Sequence, residues 1–174
     1  SLASRPSSSW VFGAWKATPC RIARHVAQSA KVPGGATIWG TSHKTLPDLS
    51  AFANGALVRY LDFNDTYLSK EPAHPSDNLA AILAAGEIAH ASGKRVIQAI
   101  ALAYEIQCRL CDAAALRSRG WDHVTYGSIS SALGRYSSAR SSTPSSSSER
   151  MKCACSPSRS GAAACSRLIA WLCR

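Results

Sequence analysis

The chain has 174 residues, of which 46% are hydrophobic and 7% aromatic, and a formal net charge of +10. That is one ordinary domain or a piece of a larger one, with enough apolar residues to exclude a wholly disordered chain. No apolar run approaches the ~20 residues of a membrane span, and no stretch near the N-terminus suits a signal peptide, so neither is expected.

Charge and cysteine divide unevenly along the chain. Residues 134–174 hold seven Lys and Arg against one acid, and residues 1–133 hold thirteen against nine. A basic tail suits nucleic acid or an anionic membrane surface. Cys20, Cys108 and Cys111 are scattered through the body, whereas Cys153, Cys155, Cys165 and Cys173 crowd the tail. An odd total with this scatter makes no disulfide framework, which favours a reducing compartment, the cytoplasm. The chain begins at Ser1 and its only methionine is Met151, so a chain cut from a longer one, or processed, is expected.

Residues 1–14 read as a frayed, Ser-rich start. Thr18 followed by Pro19 reads as the N-cap and first position of a helix that buries Ile22, Ala23, Val26, Ala27 and Ala30. Pro33-Gly34-Gly35 ends it, and Ala36 to Trp39 reads as a short strand closed by Gly40. Pro47 opens a second helix through about Leu61, whose small apolar interior predicts close burial. Residues 62–75 break into a polar and aromatic loop. Ser76 is expected to cap a third helix with Asp77 in its first turn, burying Leu79, Ile82, Leu83, Gly86 and Ala89 and stopping at Gly93. A fourth runs from about Lys94 to Leu116, with Val96, Ile97, Ile100, Ala101, Tyr104 and Ile106 toward the core. Gly120 separates it from a fifth, Thr125 to Leu133. The result is an all-α body over residues 15–133. Residues 134–174 read as a Ser/Arg/Cys-rich, low-complexity tail, disordered or translated out of frame.

The densest polar stretch is Tyr60-Leu61-Asp62-Phe63-Asn64-Asp65-Thr66-Tyr67, followed by His74-Pro75-Ser76-Asp77-Asn78. Its carboxylates, hydroxyl and imidazole suit an acid–base site, since histidine titrates near neutral pH. They equally suit a solvated loop in which Asp, Asn and Ser cap helices. Asp62, Asp65 and His74 match no tight metal spacing. A second polar point is Gly120-Trp121-Asp122-His123. There, the positive end of a helix dipole favours an uncharged imidazole, which suits a base. The plainer alternative is Asp122 as an N-cap and His123 as a partly buried first-turn residue. Cys108-Arg109-Leu110-Cys111 and Cys153-Ala154-Cys155 could together offer four thiolates to zinc, but two core cysteines on adjacent helical turns is the simpler reading. No metal or cofactor is expected.

Three runs together carry a family resemblance. Ala51-Phe52-Ala53-Asn54-Gly55, Arg59 through Thr66, and Glu71-Pro72-Ala73-His74-Pro75-Ser76-Asp77-Asn78 closely resemble the MmgE/PrpD family. Gly120 through Gly127 resembles its next motif, and Gly34 through Thr41 falls within the same region. The resemblance spans residues 15–133. It implies the helical main domain of a two-domain enzyme with a smaller lid, usually a homodimer, working without an iron–sulfur cluster. The family's activities include 2-methylcitrate dehydration in propionate catabolism and cis-aconitate decarboxylation, and the wording of the motifs is nearest the former. A small tricarboxylate is then the implied substrate. By motif match, His74, His123 and Asp62 take catalytic positions and Thr66 a substrate-binding one. The implied roles are base for His123, acid or substrate ligand for His74, orientation or charge balance of an imidazole for Asp62, and a carboxylate bond for Thr66. What the family carries past Leu133, including a lysine-bearing site segment and the lid, has no counterpart here. A fragment without turnover of its own is therefore expected. The alternative is a non-catalytic helical protein with a basic, nucleic-acid-binding tail. Against it, the tail has one tryptophan, Trp171, and no recognisable nucleic-acid module.

Overall fold

Proline sets where the first two long helices begin. The computed structural model describes residues 9–139. A short helix α1 (Ser9–Gly13) leads through one 3-10 turn into α2 (Thr18–Ala27). Val11 and Ala14 are buried, so the fold starts earlier than the Ser-rich composition suggested. Pro19 lies in the first turn of α2, where its missing N–H leaves no bond unmade. Thr18 does not cap this helix: Ala17 takes the cap position in extended backbone and Thr18 is the first helical residue.

The buried stripe of α2 is Cys20, Ala23, Arg24 and Ala27, while Ile22 and Val26 are exposed, which corrects the expected face. The two stripes lie about a quarter turn apart. Small residues win because they let α2 approach α3 (Pro47–Arg59) closely enough for Cys20 Sγ to lie 3.5 Å from Ala56 O. Arg24 stays buried because its guanidinium lies 3.7 Å from the Trp15 ring centroid and donates to Trp15 O at 2.7 Å.

Between α2 and α3 the chain makes a two-stranded antiparallel hairpin, β1 (Ala36–Thr37) and β2 (Lys44–Thr45), pairing Ala36 with Thr45 and Thr37 with Lys44. The expected strand is real but two residues shorter. Gly35 is required here, because a Cβ would fall 2.2 Å from Thr45 O. Ser50 and Asn54 of α3 both donate to Thr37 O, and Asn54 Oδ1 accepts from Trp39 N. Glu87 of α4 (Leu79–Ile88) accepts from Thr37 N at 2.7 Å and from the Thr37 hydroxyl, and pairs with Lys44 at 2.7 Å.

Helix α4 ends at Ile88, and two residues on His90 turns the chain with a left-handed φ of 49°. Gly93 does not stop it; Gly93 opens α5 (Gly93–Ala113), capped by Ser92 Oγ accepting from Arg95 N. Helices α4, α5 and α6 (Val124–Ala139) enclose Ile82, Ala99, Ile100, Ala103 and Tyr104. Ile97, expected in the core, is exposed; Ala103 and Gln107 are buried instead, and Cys108 and Cys111 are core cysteines as expected. Helix α6 continues six residues past the expected end at Leu133. Gly134 and Ser138 are buried, and Ser138 Oγ bonds Ile82 O at 3.3 Å. Small residues hide a helix interface from a reading that looks for bulky apolar ones.

Among the described residues no helix is long and apolar enough to cross a membrane, and no group of three or more His, Cys, Asp or Glu could hold a metal ion. Cys20, Cys108 and Cys111 are buried and joined in no disulfide among the described residues. Burial raises the Cys111 thiol to about 11. The Ser/Arg/Cys-rich tail from residue 140 onward, with Cys153 and Cys155, lies outside the described residues.

Candidate active site

The polar loop after α3 returns on itself. Tyr67 and Ala73 form an isolated antiparallel bridge, with Tyr67 N to Ala73 O at 2.8 Å and Ala73 N to Tyr67 O at 3.0 Å. That bridge delivers His74 to the mouth of a 3-10 turn at Pro75–Asn78, which runs directly into α4. Ser76 is not the cap of α4: it sits inside this turn, buried, and its Oγ finds no hydrogen-bond partner among the described residues. Asn78 is what fastens the turn. It donates to Pro75 O and to Gln107 Oε1 of α5, and accepts from Ser130 and Ser131 of α6. A buried amide with this many partners holds three elements in one register.

His74 is oriented from the same loop. Its Nδ1 lies 2.7 Å from the Asp65 carbonyl oxygen. A carbonyl only accepts, so Nδ1 carries the hydrogen and Nε2 is left to accept. The Asp65 carboxylate accepts from Ser76 N at 3.0 Å and bonds the Tyr104 hydroxyl from α5. Burial, then that carboxylate, push the Tyr104 phenol far above its ordinary value, so it remains a donor.

His123 comes from a different part of the chain, the segment joining α5 to α6. Its Nδ1 is 2.8 Å from Asp122 Oδ1, which again leaves Nε2 as the free ring nitrogen. The two imidazoles meet edge to face, with ring centroids 6.2 Å apart and planes at 71°. Both are partly exposed.

Asp62 and Thr66 are placed differently. Asp62 is exposed in a left-handed conformation, φ 54°, and pairs with Arg59 NH1 at 2.5 Å rather than with an imidazole. Thr66 is exposed on the same loop. The carboxylate nearer the pair's surroundings is Asp77. Its Oδ2 is 3.8 Å from Arg59 Nε and its Oδ1 accepts from Asn64 Nδ2 at 3.3 Å. Burial raises the Asp77 carboxyl above its ordinary 3.8, and Arg59 and the two histidines only partly offset this.

Four residues of this arrangement escaped sequence reasoning as site residues: Arg59, Asp65, Glu71 and Asp77. Asp65 was weighed among the loop's carboxylates for acid–base work and as a metal ligand but given no site role, and Asp77 was singled out as a helix-dipole partner. Glu71 is the least legible, standing between Lys70 and Pro72 in a stretch that reads as solvated loop. Its side chain is fully buried.

Comparison with known proteins gives a concordant picture. Residues 8–140 match the sequence model of the MmgE/PrpD N-terminal domain. The chain is 40% identical over 110 residues to the 2-methylcitrate dehydratase of Salmonella typhimurium, covering 58% of this chain and 23% of that protein. It is 39% identical over 116 residues to the 2-methylcitrate dehydratase-like protein oryR of Aspergillus oryzae, covering 60% and 23%. It is 36% identical over 111 residues to the mitochondrial 2-methylcitrate dehydratase of Yarrowia lipolytica, covering 58% and 21%. The match therefore spans less than a quarter of the length of these relatives.

Proposed function

The chain belongs to the MmgE/PrpD family, and from that premise we propose that it carries one wall of a hydro-lyase site that removes water from a 2-methylcitrate-like tricarboxylic acid. The observation that carries the reading is the pairing of His74 and His123. They arise in separate stretches of sequence and meet at 6.2 Å with their Nε2 atoms free of the bonds that orient the rings.

The chemistry needs two proton-handling groups. A base takes the proton from the carbon beside a carboxylate, the carbon–carbon double bond forms, and the carbon–oxygen bond breaks as an acid gives the departing hydroxyl its proton. His123, with Nδ1 held by Asp122, is the base at Nε2. His74, with Nδ1 held by the Asp65 carbonyl, binds the hydroxyl and protonates it as imidazolium. Exchange of protons with solvent resets both rings. Thr66 bonds a substrate carboxylate. Asp62 acts through Arg59, holding the guanidinium beside the site. The carboxylates of a tricarboxylate need cationic partners, and the Arg59 guanidinium is already shared between Asp62 and Asp77. On this reading the described residues give no turnover by themselves, and further cationic partners correspond to the part of the relatives outside the match. A homodimer and a cytoplasmic setting, whose reducing state suits buried cysteines outside disulfides, belong to the same reading.

Titration of 2-methylcitrate into the chain, with its histidines labelled for NMR, tests the reading. The His74 and His123 ring signals should shift together while His25, exposed on α2, stays still, and no alkene product should form. In the Salmonella relative, alanine at either matching histidine should lower turnover by about a hundredfold or more. Unmoved His74 and His123 signals, turnover by the chain alone, or normal turnover in both relative variants would each overturn it.

A further inference from the structure

A buried side chain bonds the two histidine-bearing segments to each other, beside the apolar cluster of Ala73, Cys111 and Tyr126. Glu71 lies three residues before His74, and its side chain has no exposed surface. Its Oε2 accepts from Leu116 N at 2.6 Å and from Arg117 N at 3.1 Å, both in the segment that leads to His123. Arg117 Nε makes an ion-pair contact with Oε1 at 2.9 Å. The Glu71 backbone N–H also donates to Cys111 O at 3.1 Å, so main chain and side chain grip the same place. From there the segment is short and self-contained. Trp121 N returns to Leu116 O at 3.2 Å, and the Tyr126 hydroxyl reaches Ala114 O at 3.2 Å.

We propose that Glu71 is a positioning residue: its carboxylate caps the N–H groups of Leu116 and Arg117 and thereby fixes the His123 segment at its distance from His74. The inference rests on the reading of the histidine pair as the reacting groups. The physical argument is one of alternatives. Two backbone N–H groups seated on a buried carboxylate lose their acceptor when it is removed, and the segment must shift toward solvent or another acceptor to satisfy them. Other bonds cross the same junction, from Tyr67 and Ser69 to the Asp112 carboxylate and from Lys70 to Ala113 O. Those are exposed, and water replaces them at little loss. Burial would by itself raise the Glu71 carboxyl, but the two N–H donors and Arg117 outweigh it and hold the group ionised, as a two-donor cap requires.

The test reads ring geometry in the whole chain without substrate. With histidine-labelled protein, the proton cross-peak between the His74 and His123 rings is recorded for the native chain, Glu71→Ala, Glu71→Gln and Asp112→Ala. Loss of the cross-peak in Glu71→Ala is expected, with its retention in Glu71→Gln, whose amide oxygen still accepts both N–H groups, and in Asp112→Ala. A cross-peak of native intensity in folded Glu71→Ala, or equal loss in Glu71→Gln, overturns the proposal. Should Glu71→Ala not fold, hydrogen exchange in the native chain decides. The Leu116 and Arg117 amides should exchange at least about tenfold more slowly than that of Ser118, and equal rates overturn the proposal. The two readings fail separately: shifts with 2-methylcitrate together with an unmoved ring pair in Glu71→Ala remove Glu71 and leave the hydro-lyase reading standing.

Discussion

A carboxylate buried on a backbone N–H and one shared between a hydroxyl, an amide and an ammonium titrate alike for different reasons. In Glu87, burial would raise the carboxyl, but the Lys44 ammonium and the Thr37 hydroxyl and N–H outweigh it. Glu71 and Glu87 are both held below the ordinary 4.5. Each ionises more readily folded than unfolded, so its stabilisation is complete above pH 4.5 and fades as the pH falls through the lower folded value. Asp77, raised above 3.8 by burial, works the other way: it favours the folded chain less as the pH rises through its folded value. Urea unfolding across a pH series should show stability falling below pH 4.5, with a shallower fall in Glu87→Gln. An unchanged acid limb in that variant would mean that the hairpin contact contributes nothing.

Elements meet here mainly through small residues, and α6 shows what that demands. A Cβ at Gly134 would lie 2.8 Å from Ile82 Cδ1 and 2.9 Å from Ala103 Cβ, between α4 and α5. A Cβ at Gly127, two turns earlier, would meet nothing nearer than Gln107 Nε2 at 3.7 Å, an ordinary contact. The same substitution should therefore have opposite signs on one helix. Gly134→Ala overpacks the interface and should cost about 1–3 kcal/mol. Gly127→Ala gains helix propensity and should stabilise by up to about 1 kcal/mol. Thermal unfolding of the two variants checks this, and equal shifts would mean that α6 does not seat Gly134 against Ile82. The same interface explains how far the helix was legible. Its length was underestimated because Gly134 and Ser138, the residues that bury its last turns, look like linker in a sequence.

At the largest scale, apolar surface stands exposed among the described residues. Phe63, Leu68 and Trp121 are 75%, 79% and 63% exposed around the site, and Ile22 and Val26 sit together on the outer face of α2. Contiguous exposed apolar groups promote association in water. Light scattering should show the chain's apparent size growing with concentration, and Ile22→Lys with Val26→Lys should reduce that growth without lowering the unfolding temperature. A monodisperse chain at high concentration would contradict this. The pattern accords with a chain matching less than a quarter of its relatives' length.

Local chemistry determined a great deal of this protein from sequence alone. Pro19 and Pro47 fixed where α2 and α3 begin, because a residue without an N–H belongs in the first turn. The apolar periodicity identified the helices and hence the all-α class, and the motif around His74 and that around His123 carried the family. Tertiary structure decided which faces are buried, since that depends on how closely two backbones approach. Cys20 and Arg24 join the expected Ala23 and Ala27 on the buried face of α2, and Ile22 and Val26 lie outside it for this reason. It also decided what the polar residues do. Asp62 turned to Arg59, the Asp65 carbonyl took His74, and Asp122 took His123. Glu71, unremarkable between Lys70 and Pro72, became the buried link between the two histidine segments. A hydrogen bond between distant segments leaves no period or spacing in a sequence, because its partners are neighbours only once the chain has folded.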